Sequence, residues 1–593
     1  MINYNLTYCF SVSTVIVVPD DVGSIQKAIE FAQEGQRIFV KAGVYKECII
    51  VNKPLTIYGE DGAVIIGTGG AHTVQITANN VYFSGFTIRG KIDSPFSGIH
   101  VFYSSGSVIE NNKVTEHYCG IQLYDSSNTT LTKNHMSGNI YNLEVWGLVI
   151  DHFIHKIDTT NYVNQRKVYF LVNKHRGQVP SDAGYVALVN CSNILVKDSM
   201  IIGNGEGILV AYTKNSLIYN VTSTRNKRGI RLTSSSNNEI LQCNLTNNDW
   251  VGIVIEASSN NTVHECVISK NVKGIILSES NILNKRSLQN TVAYNNISQN
   301  TYGAWLSFSS SNEFCQNYIS KNHHNIVLES SENNVLYENV LAEGSFGMSL
   351  SYSEKNIVYC NNFVNNTVQV YVKDLFSKNI WDNGSRGNFW SNYTGVDMDG
   401  DGVGDTPHGV NANDQDRYPL MKPWTIDCDV RVVSVIPLFT EVYVGQVVDI
   451  KVIISYKGSF METFPILCKS ESDNMEQLIG IQFVTVIPQT NVALTFAWMT
   501  KDIALHKIKV EIPRLENETN LMNNVMVSFL TVKVKKSGDV NGDQVVDMKD
   551  IALTALSFGS NPNNSRWDSR ADLNNDQKID LKDLVIIAKS FGK

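Results

Sequence analysis

The chain has 593 residues, 57 acidic against 49 basic, and only 18% of it is charged. It is too long for one compact domain, and its net charge of −8 excludes a nucleic-acid partner. Ten cysteines in this length do not make a disulfide framework, and no apolar run is long enough to span a bilayer.

Phe10 to Val18 is apolar but short, and no Lys or Arg precedes it. It makes a poor signal peptide and is read either as a strand or as the remainder of a longer N-terminus. Pro19 to Gln33 reads as a capping segment. Ser24 is placed to N-cap a short helix with Ile25, Ala28, Ile29 and Ala32 on one face. The cap is expected over about 15–45, with Val40 to Glu47 beginning a coil register.

From there a phrase recurs every 22 or 23 residues. Gly98-Ile-His-Val101 is followed by Gly120-Ile-Gln-Leu123 and Asn142-Leu-Glu-Val145. Later come Gly207-Ile-Leu-Val210, Gly229-Ile-Arg-Leu232, Gly274-Ile-Ile-Leu277, Gly303-Ala-Trp-Leu306 and Gly347-Met-Ser-Leu350. A coil this short cannot bury its own apolar face, so it must stack on neighbours. The pattern predicts a right-handed parallel β-helix with coils over about 46–385, a single rod of roughly a dozen coils on the order of 60 Å long. Asn111, Asn134, Asn244, Asn296, Asn317, Asn339 and Asn361 are expected to form side-chain ladders. Cys243 and Cys266, one coil apart, are expected to form a stacked buried thiol column.

The second and fourth residues of each phrase face inward, so the third residue and the one after the phrase face outward. His100, Gln122 and Glu144 then form a polar column beside the rings of Phe102, Tyr124 and Trp146. Aromatic rings on a flat sheet suit sugar faces. An excursion runs from Trp146 to Glu206, carrying Asp151, Lys174, His175 and Arg176; long inserts in a repetitive scaffold concentrate function. Two reaction classes stay open. A polysaccharide lyase needs a base and cations around a uronate, for which Arg228 and Arg231 are candidates. A glycosidase needs two carboxylates across the bond, for which Glu144 with Asp151 or Glu206 are candidates. Neither set shows a diagnostic motif, so each of these residues reads more readily as an ordinary surface charge.

The last coils lead into Gly387-Asn-Phe-Trp390-Ser-Asn-Tyr393 and on to Asp416-Arg-Tyr-Pro-Leu420. Between them Asp397, Asp399, Asp401 and Asp405 alternate with glycines, a spacing that suits calcium, while Pro407 blocks a following helix. The opening, the repeats and this closing phrase (387–421) resemble the NosD-like and pectin-lyase-like β-helix proteins. That resemblance covers roughly residues 15 to 424, and the first domain is placed at 1–424. The resemblance raises copper, yet His323-His324 is the only adjacent His pair and no Cys/His/Met run has soft-metal spacing.

Residues 425–535 change to alternating strands, as in Gln446 to Ile454 and Lys507 to Glu511, and predict an antiparallel β-sandwich. The ending Glu516 to Asn524 resembles CARDB-type adhesion modules. Last, in 537–593, one acidic loop occurs twice at an offset of 33. The first places Asp539, Asn541, Asp543, Asp547 and Asp550 at loop positions 1, 3, 5, 9 and 12, with the carbonyl of Val545 at 7. The second places Asp572, Asn574, Asp576, Asp580 and Asp583 there, with the carbonyl of Lys578 at 7. Oxygen donors so spaced suit calcium. Position 6 is Gln544 and Gln577 instead of Gly, and position 12 is Asp instead of Glu. The pair resembles a dockerin, a small α-helical module. The resemblance implies two calcium ions and a cohesin-bearing partner, with positions 10 and 11 (Met548-Lys549 and Leu581-Lys582) at the contact.

The architecture as a whole resembles carbohydrate-degrading systems. It implies a secreted or cell-surface protein that binds, and in one reading cleaves, an extracellular polysaccharide. The alternative is a non-catalytic adhesin or scaffold.

Overall fold

The computed structural model describes residues 15–592 except 281, 375, 426–427, 473–474, 516–517, 519 and 575. Parts of the Phe10–Val18 stretch, the insert beginning at Asn281 and the Glu516–Asn524 phrase therefore lie outside the described residues. Two compact units divide the chain, Met1–Trp424 and Thr425–Lys593. No helix among the described residues is long and apolar enough to cross a membrane.

The first unit is a parallel β-helix, and its turns explain its composition. Short strands such as Val108–Glu110 and Lys113–Thr115 are joined through one residue in the left-handed region, here Asn111 at φ 54°. Each such non-glycine residue costs on the order of 1–2 kcal/mol. The residue after the bend offsets this. Asn295, Asn317, Asn339 and Asn361 are almost fully buried, and each accepts a backbone N–H from the neighbouring coil while donating to a carbonyl. Asn134 belongs to a similar ladder. Asn111, Asn244 and Asn296 do not, and this corrects the expected set. Asn111 is itself the bend, Asn112 and Asn295 hold the ladder positions, and Cys243 stands in the ladder beside Asn244. Cys243 and Cys266 occupy two successive rungs as free thiols, the Cys243 N–H pointing at the Cys266 sulfur at 3.4 Å.

The expected single stack is replaced by two stacks that share one sheet. In the first, strands are shared among a seven-stranded sheet, a five-stranded sheet ending at Tyr141–Trp146, and the start of a sixteen-stranded sheet. The helix Ile25–Phe31 covers its beginning, with Ile25, Ala28 and Ile29 buried. The Ser24 hydroxyl accepts from the Lys27 N–H at 3.2 Å, a cap worth about 1 kcal/mol.

At Tyr162–Val163 the chain reverses. This strand pairs antiparallel with Arg166–Val172, through a two-residue turn in which Asn164 and Gln165 have φ 47° and 66°, the geometry hairpins favour. Arg166–Val172 then pairs parallel with Ala183–Val189, and the sixteen-stranded sheet continues to Val368–Val372 with its strands running the other way.

The core changes sides with the direction. Val168 and Tyr185 pack into the first stack's core, while Val186, Leu188, Ile208 and Val210 pack into the second's. Strand Ala183–Val189 is buried on both faces, so its sequence shows no alternation. Reversing the strands and moving the core to the opposite face amounts to a half-turn about the stacking axis, which preserves the hand. The excursion at 146–206 is thus the joint between two stacks and not an insert on one.

In the second unit, a three-stranded and a five-stranded sheet enclose a core that includes Val430, Ile450, Ile466, Trp498 and Val532. The helices Met548–Ser557 and Leu581–Ser590 come after them. Their core is small: Val540, Val546, Ala571, Leu573, Ile579 and Ile587 join Tyr443 of the sandwich.

Candidate functional site

Strand Tyr141–Trp146 is the last of its sheet, and the turn before Glu206–Ala211 docks on its edge. The Asn142 N–H donates to the Gly203 carbonyl at 2.7 Å, and the Gly205 N–H to that of Leu143 at 3.0 Å. A Cβ on Gly205 would lie 2.4 Å from the Glu144 side chain, so only glycine lets the two stacks close. In that closure lie four of the five residues singled out as catalytic candidates, Glu144, Glu206, Arg228 and Arg231. The Glu144 carboxylate takes the Lys227 ammonium at 2.8 Å and Arg228 Nη1 at 3.3 Å on one oxygen, and the Gln122 amide at 2.9 Å on the other. Arg228 Nη1 also reaches Glu206 at 2.9 Å, and Arg231 Nη2 reaches Glu256 at 3.0 Å.

Glu144, Glu206 and Arg231 are at most 1% exposed. The Trp146 ring lies 3.8 Å from the Arg231 guanidinium and 4.7 Å from that of Arg228, a cation–π cover that closes the cluster. Burial pushes the Glu144 carboxyl up, but Lys227 and Arg228 outweigh it and hold it below the usual range. At Glu206 burial wins over Arg228 and the pKa is raised. The carboxylates Glu144 and Glu206 share one guanidinium nitrogen, so no sugar fits between them. Asp151 stands apart, exposed on the turn Ile150–Phe153.

The outward polar column is present but mostly covered. His100 is 8% exposed, its ring 4.0 Å from His72 and 5.3 Å from Phe102. Burial, with His72 beside it, pushes its pKa down to about 3. Phe102 and Tyr124 are half-buried neighbours, 5.8 Å apart. Lys174, His175 and Arg176 are exposed at the start of a different sheet, beginning at His175–Val179, and are not brought to this column.

Within the joint, His155 is held neutral by two bonds. The Thr129 N–H donates to its Nδ1 at 3.2 Å, and its Nε2–H donates to the His152 carbonyl at 3.0 Å. Protonating Nδ1 would break the first. Burial, its largest perturbation, pushes the pKa down from 6.5 to about 4. Above pH 6.5 both folded and unfolded chains carry a neutral ring. As pH falls from 6.5 to 4 the unfolded chain takes the proton first, so stability is lost in that window, by up to about 3 kcal/mol for this ring. Denaturant unfolding at pH 7.5 and 4.5 should show the loss, and His155→Gln should flatten the slope; an unchanged slope in the variant would discount this histidine.

Sequence reasoning missed a second surface. On the outer face of the second stack, Tyr302 stacks on His324 (5.1 Å, 13°) and His324 on Phe346 (4.6 Å, 10°), with Trp305 and Lys273 beside them. Its signal was the residue before each Gly or Asn of the repeat, a position not followed from coil to coil.

At the end of the β-helix unit the carboxylates of Asp397, Asp399 and Asp401 gather within 4.8 Å. Asp397 accepts the Gly400 and Gly402 N–H groups, and Asp405 closes the turn on the Met398 N–H at 2.8 Å.

In the C-terminal loops, Asp539 accepts N–H groups from Gly542, Asp543 and Gln544, winding the loop around its carboxylate. Gln544 and Gln577 adopt φ 69° and 64°, the left-handed turn for which glycine is usual at position 6. Asp547 with Asp550, and Asp580 with Asp583, form capping boxes. Asp550 also accepts the Val540 and Asn541 N–H groups, and Asp583 those of Leu573 and Asn574. Position 12 thus doubles as the third residue of the helix, and the short aspartate serves both roles. The donors fit a hard cation: carboxylate and amide oxygens occur at matching positions in both loops. The Lys549 and Lys582 ammonium groups stand 3.5 and 3.1 Å from the position-5 carboxylates, cations against the same oxygens.

Comparison with known proteins finds two family models that match this chain. The family model described as "Periplasmic copper-binding protein (NosD)" matches residues 30–177, 163–327 and 251–395, more than half of the chain. The chain belongs to the NosD family. Residues 537–592 match the dockerin type I domain, which implies calcium binding and a cohesin partner. A cell surface glycoprotein of Methanothermus fervidus is 37% identical over 93 residues, 15% of each chain. The match therefore spans 15% of that curated relative's length.

Among solved structures, the A-module of a mannuronan C-5 epimerase from Azotobacter vinelandii is 14% identical, covering 60% of this chain and 92% of that one, with a TM-score of 0.28. A periplasmic alginate epimerase is 16% identical, covering 62% and 82%, with a TM-score of 0.31. The CARDB domain of a Pyrococcus furiosus protein is 19% identical, covering 18% and 93%, with a TM-score of 0.16.

Copper does not fit the residues of this NosD-family chain. Among the described residues, His, Cys, Asp and Glu groups converge in threes only at Asp397, Asp399 and Asp401, which are hard oxygen donors. His323 and His324 each bond a serine instead, Ser345 and Ser349, at 2.8 Å.

Proposed function

We propose that this NosD-family protein is an extracellular or cell-surface polysaccharide-binding β-helix, held on a cohesin-bearing partner by its calcium-loaded dockerin, and that it binds without cleaving. The observation that carries this reading is the paired dockerin loops, with both capping boxes intact and both position-6 residues in the left-handed turn. The sealing of Glu144 and Glu206 around Arg228 favours binding over catalysis. The curated relative's name, a cell surface glycoprotein, is consistent with display outside the cell. We read the domains as 1–424, 425–535 and 537–593. Of the first-stack column, Phe102 and Tyr124 are the rings a ligand could touch.

The reading is tested by incubating the whole protein with acidic and neutral polysaccharides and following unsaturated uronate absorbance, reducing ends and retention. Retention without product is the expected result. Product formation would restore the enzyme reading, and cohesin capture with no retention would leave the adhesin or scaffold.

We assign a third calcium to the Asp397, Asp399, Asp401 and Asp405 turn. Calorimetric titration of the calcium-free protein should give three ions per chain, and two in Asp397→Asn/Asp401→Asn. Two ions in both proteins would remove the site.

A further inference from the structure

The outer face of the sixteen-stranded sheet is open beyond the joint. Three outward columns run along it. The first holds Lys273, Tyr302, His324 and Phe346, and the second Ile276, Trp305, Val327 and Ser349. In the third, Ser307 and Glu329 are paired neighbours. Successive rungs lie one strand spacing apart, about 4.8 Å. Tyr302, His324 and Phe346 stack so nearly parallel that their edges meet solvent. At the far end Tyr371 is tilted 54° from Phe346 and is 47% exposed, showing more of its face.

Lys273 and Glu329 on this face are each held by neutral partners. Lys273 sits 3.5 Å from the Trp305 ring centre, and the Trp305 indole N–H and the Ser307 hydroxyl both donate to Glu329, at 3.2 and 3.3 Å. An apolar strip bordered by one lysine and one glutamate offers a polyanion no cluster of cations. It does offer C–H edges, a carboxylate acceptor and an imidazole to a ligand made of hydroxyls and C–H faces.

We propose that this face, from Lys273 to Tyr371, is the platform on which an extended neutral polysaccharide lies along the stack axis. Sugar units of an extended chain advance by a distance close to the strand spacing, so one contact can repeat from coil to coil. The proposal rests on the polysaccharide-binding reading above and names its site and ligand class.

The test is affinity electrophoresis of the full chain in gels containing xyloglucan or galactomannan, against gels containing alginate or polygalacturonate. Wild type should be retarded by a neutral polymer. Trp305→Ala and, separately, the surface change Tyr371→Ser should weaken that retention at least tenfold, while Tyr352→Ala, an exposed ring off the platform, should not. Retention by neutral gels that survives both changes would overturn the platform and leave the binding reading standing. Retention only in acidic gels would overturn the ligand class. A dimer in light scattering that Trp305→Ala dissolves would assign the face to a second copy instead. No retention in any gel would remove the binding reading itself.

Discussion

Replacing Arg228 with Ala should destabilise the β-helix unit by about 3–5 kcal/mol, the usual cost of stranding buried charge by removing one partner. Arg228 is 5% exposed and its Nη1 serves both Glu144 and Glu206. Without it, Glu206 keeps only Arg231, whose nearest nitrogen is 4.0 Å away, and Glu144 keeps Lys227. The loss is therefore larger than the ion pairs are worth in the intact protein. Neutralising Arg228 together with its two carboxylates should recover part of it, since those uncharged groups need no partner ion. Arg228→Met combined with Glu144→Gln and Glu206→Gln is expected to be markedly more stable than Arg228→Ala alone. Urea unfolding of the three proteins decides the point. A cost below about 1 kcal/mol for Arg228→Ala, typical of an exposed pair, would mean that water reaches these carboxylates and that the joint is open enough for ligand.

Stripping calcium is expected to unfold residues 537–592 while leaving the β-helix in place. Among the described residues, the dockerin core is six buried apolar residues and one tyrosine borrowed from the sandwich, too few to hold four carboxylates around an empty loop. Hydrogen exchange in excess chelator should show protection lost across Met548–Ser557 and Leu581–Ser590 and kept in the strands of the first unit. Asp550→Ala should do the same to the first loop alone, because that carboxylate ties the loop to its exit helix through three N–H bonds. Capture by cohesin should vanish with the protection. Helices that stay protected in chelator would show that the sandwich contact, including the Tyr443 hydroxyl on the Arg570 carbonyl at 2.8 Å, suffices without metal.

The β-helix and the dockerin were legible because both are repeats. A phrase such as Gly229-Ile-Arg-Leu232 states its inward and outward faces, and a loop that recurs 33 residues later states its ligands. The joint was not legible. Its hairpin turn is Asn164-Gln165, without the glycine that advertises such turns, and Ala183–Val189 serves two cores at once, which erases alternation. The candidate residues there were correctly placed outside the coil. Nothing in the sequence says that a second stack covers them, because the covering residues, Lys227 and Arg228, lie more than eighty positions away from Glu144 and belong to an ordinary repeat.

The antiparallel turn at Tyr162–Arg166 also bears on how many strand edges the first unit leaves free. Two separate solenoids would present four raw stack ends, each able to recruit further strands. Here one sheet of each inner end runs on into the other stack, so that sheet has no free edge at the joint. The helix Ile25–Phe31 closes one outer end, while Trp381 and Trp390, each 1% exposed, plug the core near the other. Coils could be added to or removed from either arm without disturbing the joint, so the lengths of the two arms are free to vary independently around one shared seam.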